Sequence, residues 1–221
     1  MLRHPAVPYV APFAVFMAFL ALKGVLPLGG LEGQIAWIVV VAATIWFCSR
    51  SLLDFRLRAP LGTLAVGAIV FAIWIAPDTL IPGYRSYWLF QNSVTGHLTS
   101  SLPEELRQNI AILVLRSVRA ILIVPIVEEL FWRGWLMRWL INPDFEKVEL
   151  GSYTPLAFWA TAILFASEHG PYWEVGLIAG AAYNWWMMRT KSLGDLIVAH
   201  ALTNGLLCAY VVATGKWEYW L

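Results

Sequence analysis

An all-α, polytopic transmembrane bundle of about seven to eight spans is the fold this sequence predicts, and three observations carry it. Of 221 residues 60% are hydrophobic and only 13% are charged, with a mean hydropathy of +0.67, far from the balance of a water-soluble domain. Apolar runs long enough for a helical crossing recur along the whole chain, and short Pro-, Gly- or charge-bearing segments separate them. A hydrocarbon core of about 30 Å takes about 20 helical residues, so the length holds roughly seven spans with brief connections. That leaves a single transmembrane domain over residues 1–221 and no room for a soluble one. The formal net charge of +1 makes no field that would attract nucleic acid. Cys48 and Cys208 each lie in an apolar run and behave as small hydrophobes, supporting neither a disulfide framework nor a metal cluster.

Arg3 precedes an apolar run without a small-residue cleavage signature, so residues 8–28 are expected as a retained first span, closed by Pro27, Gly29 and Gly30 with Lys23 snorkelling. A second span over 33–49 leads to Arg50, Asp54, Arg56 and Arg58, and a third over 61–80 ends at Pro77 and Asp78. The polar connection 81–107 contains His97, read as a solvated loop residue. Ser101 and Glu104 have the spacing of a capping box, which predicts a long helix from about 103 towards 141. Pro125 is expected to kink or split that helix. After an aqueous connection, residues 155–167 form an apolar run of only about 20 Å rise, expected to stop within the membrane beside a wet cavity. Spans over 173–188, with the small residues Gly176, Ala179, Gly180, Ala181 and Ala182 for close packing, and 193–213 complete the chain. Asp195 is expected to pair with Arg189 or Lys191.

Arg3, Arg50, Arg56, Arg58, Arg138, Lys147, Arg189 and Lys191 fall on one side of seven spans, against mainly Arg85, Arg107 and Lys216 on the other. The excess of positive charge places the N-terminus in the cytoplasm. Many of the 13 tryptophans lie near span ends, as interfacial anchors do.

Charged groups in apolar helices are costly, so each must be paired, wet or at work. Three intramembrane sites stand out: Glu128-Glu129 with Arg133, Glu168-His169, and His200 with Asn204. Glu129 and Arg133, four apart, lie about 40° from alignment on one helix face and can pair. Glu128 points about 100° away from Glu129 and has no local cation, which suits a general base. His200 and Asn204 share a face. Polar side chains at membrane depth face the bundle interior, so convergence of the three sites on one cavity is expected. Arg116 and Arg119 line a wet groove or contact headgroups.

Glu128-Glu129-x-x-x-Arg133, Phe165-x-x-x-His169 and His200-x-x-x-Asn204, in that order, resemble the three motifs of the CAAX protease and bacteriocin-processing family of intramembrane endopeptidases, which includes the Rce1-type prenyl-protein proteases. Arg189-Thr190-Lys191-Ser192-Leu193 leading to Ala199-His200-Ala201 is similar to that family's final segment. The motif resemblance covers about 128–210, and a family-like catalytic core is expected over about 103–213. It implies that Glu128 activates a water for attack on a peptide carbonyl and that His169 positions or polarises the water. His200 and Asn204 would donate to the oxyanion, and Glu129 and Arg133 would support the helix and the local field. Glu168, where the family pattern is often apolar, either acts on His169 or faces water. Metal dependence stays open: Glu128, His169 and His200 could ligate Zn²⁺, but there is no His-Glu-x-x-His and Asn is a poor zinc ligand, which favours a metal-free route.

The expected partners are membrane lipid and a peptide or lipidated protein substrate, with no nucleic acid, in what the compact chain suggests is a bacterial inner membrane. Two other classes compete. A non-catalytic binding or immunity protein would keep the fold and the polar cluster, and a transporter or proton relay would distribute acidic groups along a path, whereas here they cluster.

Overall fold

The chain is described by a computed structural model covering residues 4–26 and 28–220, so Arg3 and Pro27 lie outside the described residues. Seven principal helices and no strand are found among the described residues: α1 (Val7–Leu22), α2 (Leu31–Leu52), α3 (Pro60–Leu80), α4 (Ile110–Trp139), α5 (Pro155–Ser167), α6 (Trp173–Thr190) and α7 (Leu193–Thr214). The molecule is the expected polytopic helical bundle. Four of the helices, α2, α3, α4 and α7, are long and apolar enough to cross a membrane, and α1 and α5 are apolar but shorter.

Several boundaries move from their expected places. Helix α1 ends at Leu22, short of residue 28, while α3 ends at Leu80 as expected, with Pro77 inside it. Helix α4 begins at Ile110, because Asn109 caps it by accepting the Ile112 N–H at 3.3 Å. Ser101 is not its cap: its hydroxyl instead accepts from Arg116 Nη2 at 2.6 Å. Pro125 does not split α4, which continues unbroken to Trp139. The turn just ahead of the proline, Arg119–Ile123, is widened to a π-helical turn, and a second wide stretch runs from Leu130 to Leu136. Widening relieves the clash and the missing N–H that a proline imposes on a regular helix.

Between apolar helices in lipid the close approach of backbones, not water exclusion, favours association, so small residues mark the contacts. Gly67 of α3 sits against α7 so closely that a Cβ there would stand 2.5 Å from the Ala199 carbonyl oxygen. Gly180 of α6 meets α5 in the same way, 3.1 Å from Ala162 Cα for an added Cβ. Helix α4 runs through the middle, touching α1, α2 and α7. Pairs α3–α7 and α5–α6 flank it.

Asp195 joins two of these elements, but not as expected. Rather than pairing with Arg189 or Lys191, its carboxylate accepts the backbone N–H groups of Arg58 and Ala59 at 2.8 and 2.9 Å and the Thr63 hydroxyl at 2.7 Å. Lys191 pairs with Glu149 instead. The N–H groups of Arg58 and Ala59, just ahead of α3, have no helical carbonyl to take them, and a fully buried carboxylate from α7 does so where a surface cation could not. Asp195→Ala should therefore cost about 2–3 kcal/mol, the scale of orphaned buried donors. The check is the midpoint of SDS unfolding from mixed micelles, and an unchanged midpoint would show that α3 and α7 do not depend on this cap.

Candidate active site

The site begins with two consecutive carboxylates at the end of the short α-helical stretch Val124–Glu129, between the two wide turns of α4. Neighbours on a helix diverge by about 100°, so the two serve different surroundings. Glu129 turns inward and is 0% exposed. Its oxygens accept from Arg133 Nη1 at 3.2 and 3.1 Å, and Arg133 is likewise 0% exposed. In a regular helix a residue four on lies just past a full turn, while in the wider turn that begins at Leu130 it falls just short, and either offset lets the two side chains meet.

Arg133 uses its remaining donors across the bundle. Nε donates to Asn184 Oδ1 at 2.8 Å and Nη2 to the Gly180 carbonyl at 3.1 Å, both on α6. Its guanidinium lies over the Phe165 ring at 4.6 Å. Asn184 is held in turn by donating to the Phe158 carbonyl of α5 at 2.8 Å. From α7, His200 Nδ1 reaches Glu129 Oε1 at 2.8 Å, with its ring stacked on Tyr183 at 5.0 Å. A carboxylate only accepts, so this nitrogen carries the proton and Nε2 is the acceptor of the neutral ring. Four helices are joined through one ion pair.

Glu128 turns the other way, onto a cavity of about 490 Å³. It is 8% exposed, and its Oε2 is buried without a hydrogen-bond partner. His169 and Asn204 line the same cavity, as do Glu168, Arg116 and Arg119. His169 follows the end of α5, where Gly170, with φ of 50°, turns the chain into a short 3₁₀ segment, Gly170–Tyr172, leading to α6. Gly176 leaves space for the imidazole: a Cβ there would come within 3.3 Å of the ring. His169 Nδ1 lies 2.8 Å from the Phe165 carbonyl, an acceptor, which again leaves Nε2 of the neutral ring with its lone pair. Trp74 of α3 meets the ring edge-on at 5.1 Å. Asn204 donates from Nδ2 to the Ala120 carbonyl at 2.8 Å and has a second N–H and its Oδ1 to offer.

The three sequence sites thus meet, but in two layers. Glu128, Glu168, His169 and Asn204 face the cavity, while Glu129, Arg133 and His200 stand behind it. Glu168 is exposed at the helix end and shares that cavity. As for zinc, no group of three or more His, Cys, Asp or Glu among the described residues stands close enough to hold a metal.

Comparison with known proteins bears directly on this arrangement. Residues 110–206 match the family model for type II CAAX prenyl endopeptidase, Rce1-like. Neither the curated proteins nor the solved structures gave a match. The Rce1-like segment opens with the first residue of α4 and closes just beyond Asn204, so it contains every candidate residue of both layers. The resemblance read from the three motifs is the one the family model finds.

Sequence reasoning missed residues that hold the Rce1-like site in shape. Asn184 is the partner of Arg133 Nε and carries a signal that could have been used, an amide in the apolar stretch Gly180–Trp186. Trp74 and Trp37, which wall the cavity, come from helices before residue 110 and have no motif to mark them. Removal of the buried cation is the sharpest test of the supporting layer. Arg133→Ala strands the Glu129 charge and should cost about 3–5 kcal/mol. SDS unfolding reads the loss, and a stability within about 0.5 kcal/mol of the original, the size of an ordinary surface substitution, would remove the pair from its supporting role.

Proposed function

We propose that this membrane protein, with its Rce1-like segment, is an endopeptidase that cuts a membrane-associated or lipidated peptide with water activated by Glu128. The observation that supports it is the buried, unpartnered Glu128 oxygen in a cavity shared with His169 and Asn204. An unpaired carboxylate in such a setting is costly for stability and useful for taking a proton. The catalytic core on this reading is about 103–213, with a cytoplasmic N-terminus in a bacterial inner membrane.

Water held between Glu128 and the substrate carbonyl gives a proton to the carboxylate as its oxygen bonds to the carbonyl carbon. His169 orients that water through Nε2, the free acceptor. The carbonyl oxygen gains the negative charge, and the free N–H of Asn204 stabilises it. His200 can add a donor only with its ring charged, for which Glu129 supplies the countercharge. Glu128 then passes its proton to the departing nitrogen, the C–N bond breaks, and acid and amine products remain. Direct participation of His200 requires a path from the second layer, so its first role is to hold Glu129. No step here passes through a metal.

The test uses the full chain in phosphatidylcholine vesicles with a prenylated fluorogenic peptide. Glu128→Gln should lower kcat by about 10²–10⁴-fold, the range of a general base, while leaving the SDS unfolding midpoint in place. Asn204→Ala should lower kcat by about 10²–10³-fold as a lost oxyanion donor. Cleavage that survives Glu128→Gln would transfer the weight to the non-catalytic binding or immunity reading.

A further inference from the structure

Among the described residues, two arginines in the cavity have no carboxylate to answer them. Arg116 and Arg119 line it on α4, nearer the end of that helix that faces the 81–109 connection, and no Asp or Glu among the described residues forms an ion pair with either. Arg116 is 7% exposed; Nη2 donates to Ser101 Oγ, its guanidinium lies 5.2 Å from the Trp220 ring, and Nε is buried with no partner. Arg119 donates from Nη1 to Gln34 Oε1 at 2.7 Å and lies 3.9 Å from the Trp37 ring. Neutral acceptors and aromatic faces fix both guanidinium groups in place without neutralising them.

A buried, positioned and uncompensated pair of cations is expensive in apolar surroundings. The carboxylates that share the cavity, Glu128 and Glu168, form no ion pair with them. The cavity is therefore polarised along α4, with negative groups towards one end and positive groups towards the other. We propose that Arg116 and Arg119 form an anion subsite that takes the terminal carboxylate of the peptide substrate. This assignment rests on the protease reading above. Arg119 and Arg116 precede Glu128 by nine and twelve residues, about 14 and 18 Å of helix rise, which four or five extended residues span. A terminal carboxylate suits the pair better than an internal acidic side chain, since it ends the peptide there and needs no exit beyond the aromatic wall of Tyr219 and Trp220.

The experiment compares a prenylated peptide bearing a free terminal carboxylate with the same peptide as its terminal amide, using the full chain in phosphatidylcholine vesicles. The original protein should have a kcat/KM about 10- to 100-fold higher for the acid, chiefly through KM, as expected of charge-assisted hydrogen bonds. Arg116→Gln and Arg119→Gln should bring that ratio towards one, and Arg116→Lys should restore part of it; SDS unfolding checks that each variant is folded. Equal cleavage of acid and amide by the original protein, or an undiminished preference in the Gln variants, overturns the proposal.

If neither peptide is cut, the protease reading has failed, and anisotropy of the same labelled peptides still decides the subsite. Tighter binding of the acid, lost in both Gln variants, supports it, and equal binding overturns it. Repeating the assay in vesicles containing phosphatidylglycerol separates the other source of anion. Loss of the acid preference there assigns the arginines to lipid phosphate and likewise overturns the proposal.

Discussion

The ion pair of Glu129 and Arg133 must be made whole before anything else in the site can be arranged. Both groups are fully buried, and a lone member would be an uncompensated charge in apolar surroundings. Wholeness requires more than the pair itself. Arg133 has a rigid fork of N–H donors, and the structure sets each of its three nitrogens against an acceptor on α4 or α6, with Phe165 of α5 under the guanidinium plane. The same carboxylate accepts a hydrogen bond from His200 of α7. Four helices are therefore registered against one another by directional bonds, which lipid-facing apolar surfaces cannot do. Helix geometry turns this into a division of labour. Because adjacent side chains diverge, anchoring Glu129 aims Glu128 at the cavity, where no described residue forms an ion pair with it.

The cavity wall combines two kinds of support. Its polar groups come from α4, α5 and α7, while Phe16, Trp37 and Trp74 come from α1, α2 and α3. Glycines decide how near these parts approach: Gly176 admits the His169 ring, and Gly67 brings α3 against the turn of α7 that precedes His200. Thr203, whose hydroxyl donates to the Gly67 carbonyl at 2.9 Å and accepts from Tyr183, closes this contact from the α7 side. The low dielectric of such an interior strengthens each charge interaction, so the separation of carboxylates from arginines along α4 gives the cavity a marked electrical direction.

Much of this was legible in the sequence because charges in apolar runs have few explanations. The helical class, the short α5, the Glu129–Arg133 pair and the gathering of Glu128, His169 and Asn204 follow from spacing and the cost of burial. The layer assigned to His200 does not, since helical periodicity gives a face but not its depth behind a neighbour. Helix starts failed where local chemistry competed: Ser101 and Glu104 have a capping pattern, yet Asn109 caps α4 and Ser101 is drawn off by Arg116. Asp195 was misread because surface cations are visible in sequence, whereas the backbone donors at the start of α3, more than 130 positions away, are not. Wide turns beside Pro125 had no signal that distinguished them from a break.

The cavity also has a consequence for how such a chain can diversify. The Rce1-like segment holds the cavity's charged side chains and the Arg133 network, but Phe16, Trp37 and Trp74 lie before it. None of these three enters the Arg133 network. A change of size at Phe16 would reshape what the chamber admits without touching that network, whereas Trp74 packs on His169 and Trp37 on Arg119, so changes there reach the polar wall as well. Shape and charge in the chamber are thus drawn from different parts of the chain and meet at those two contacts.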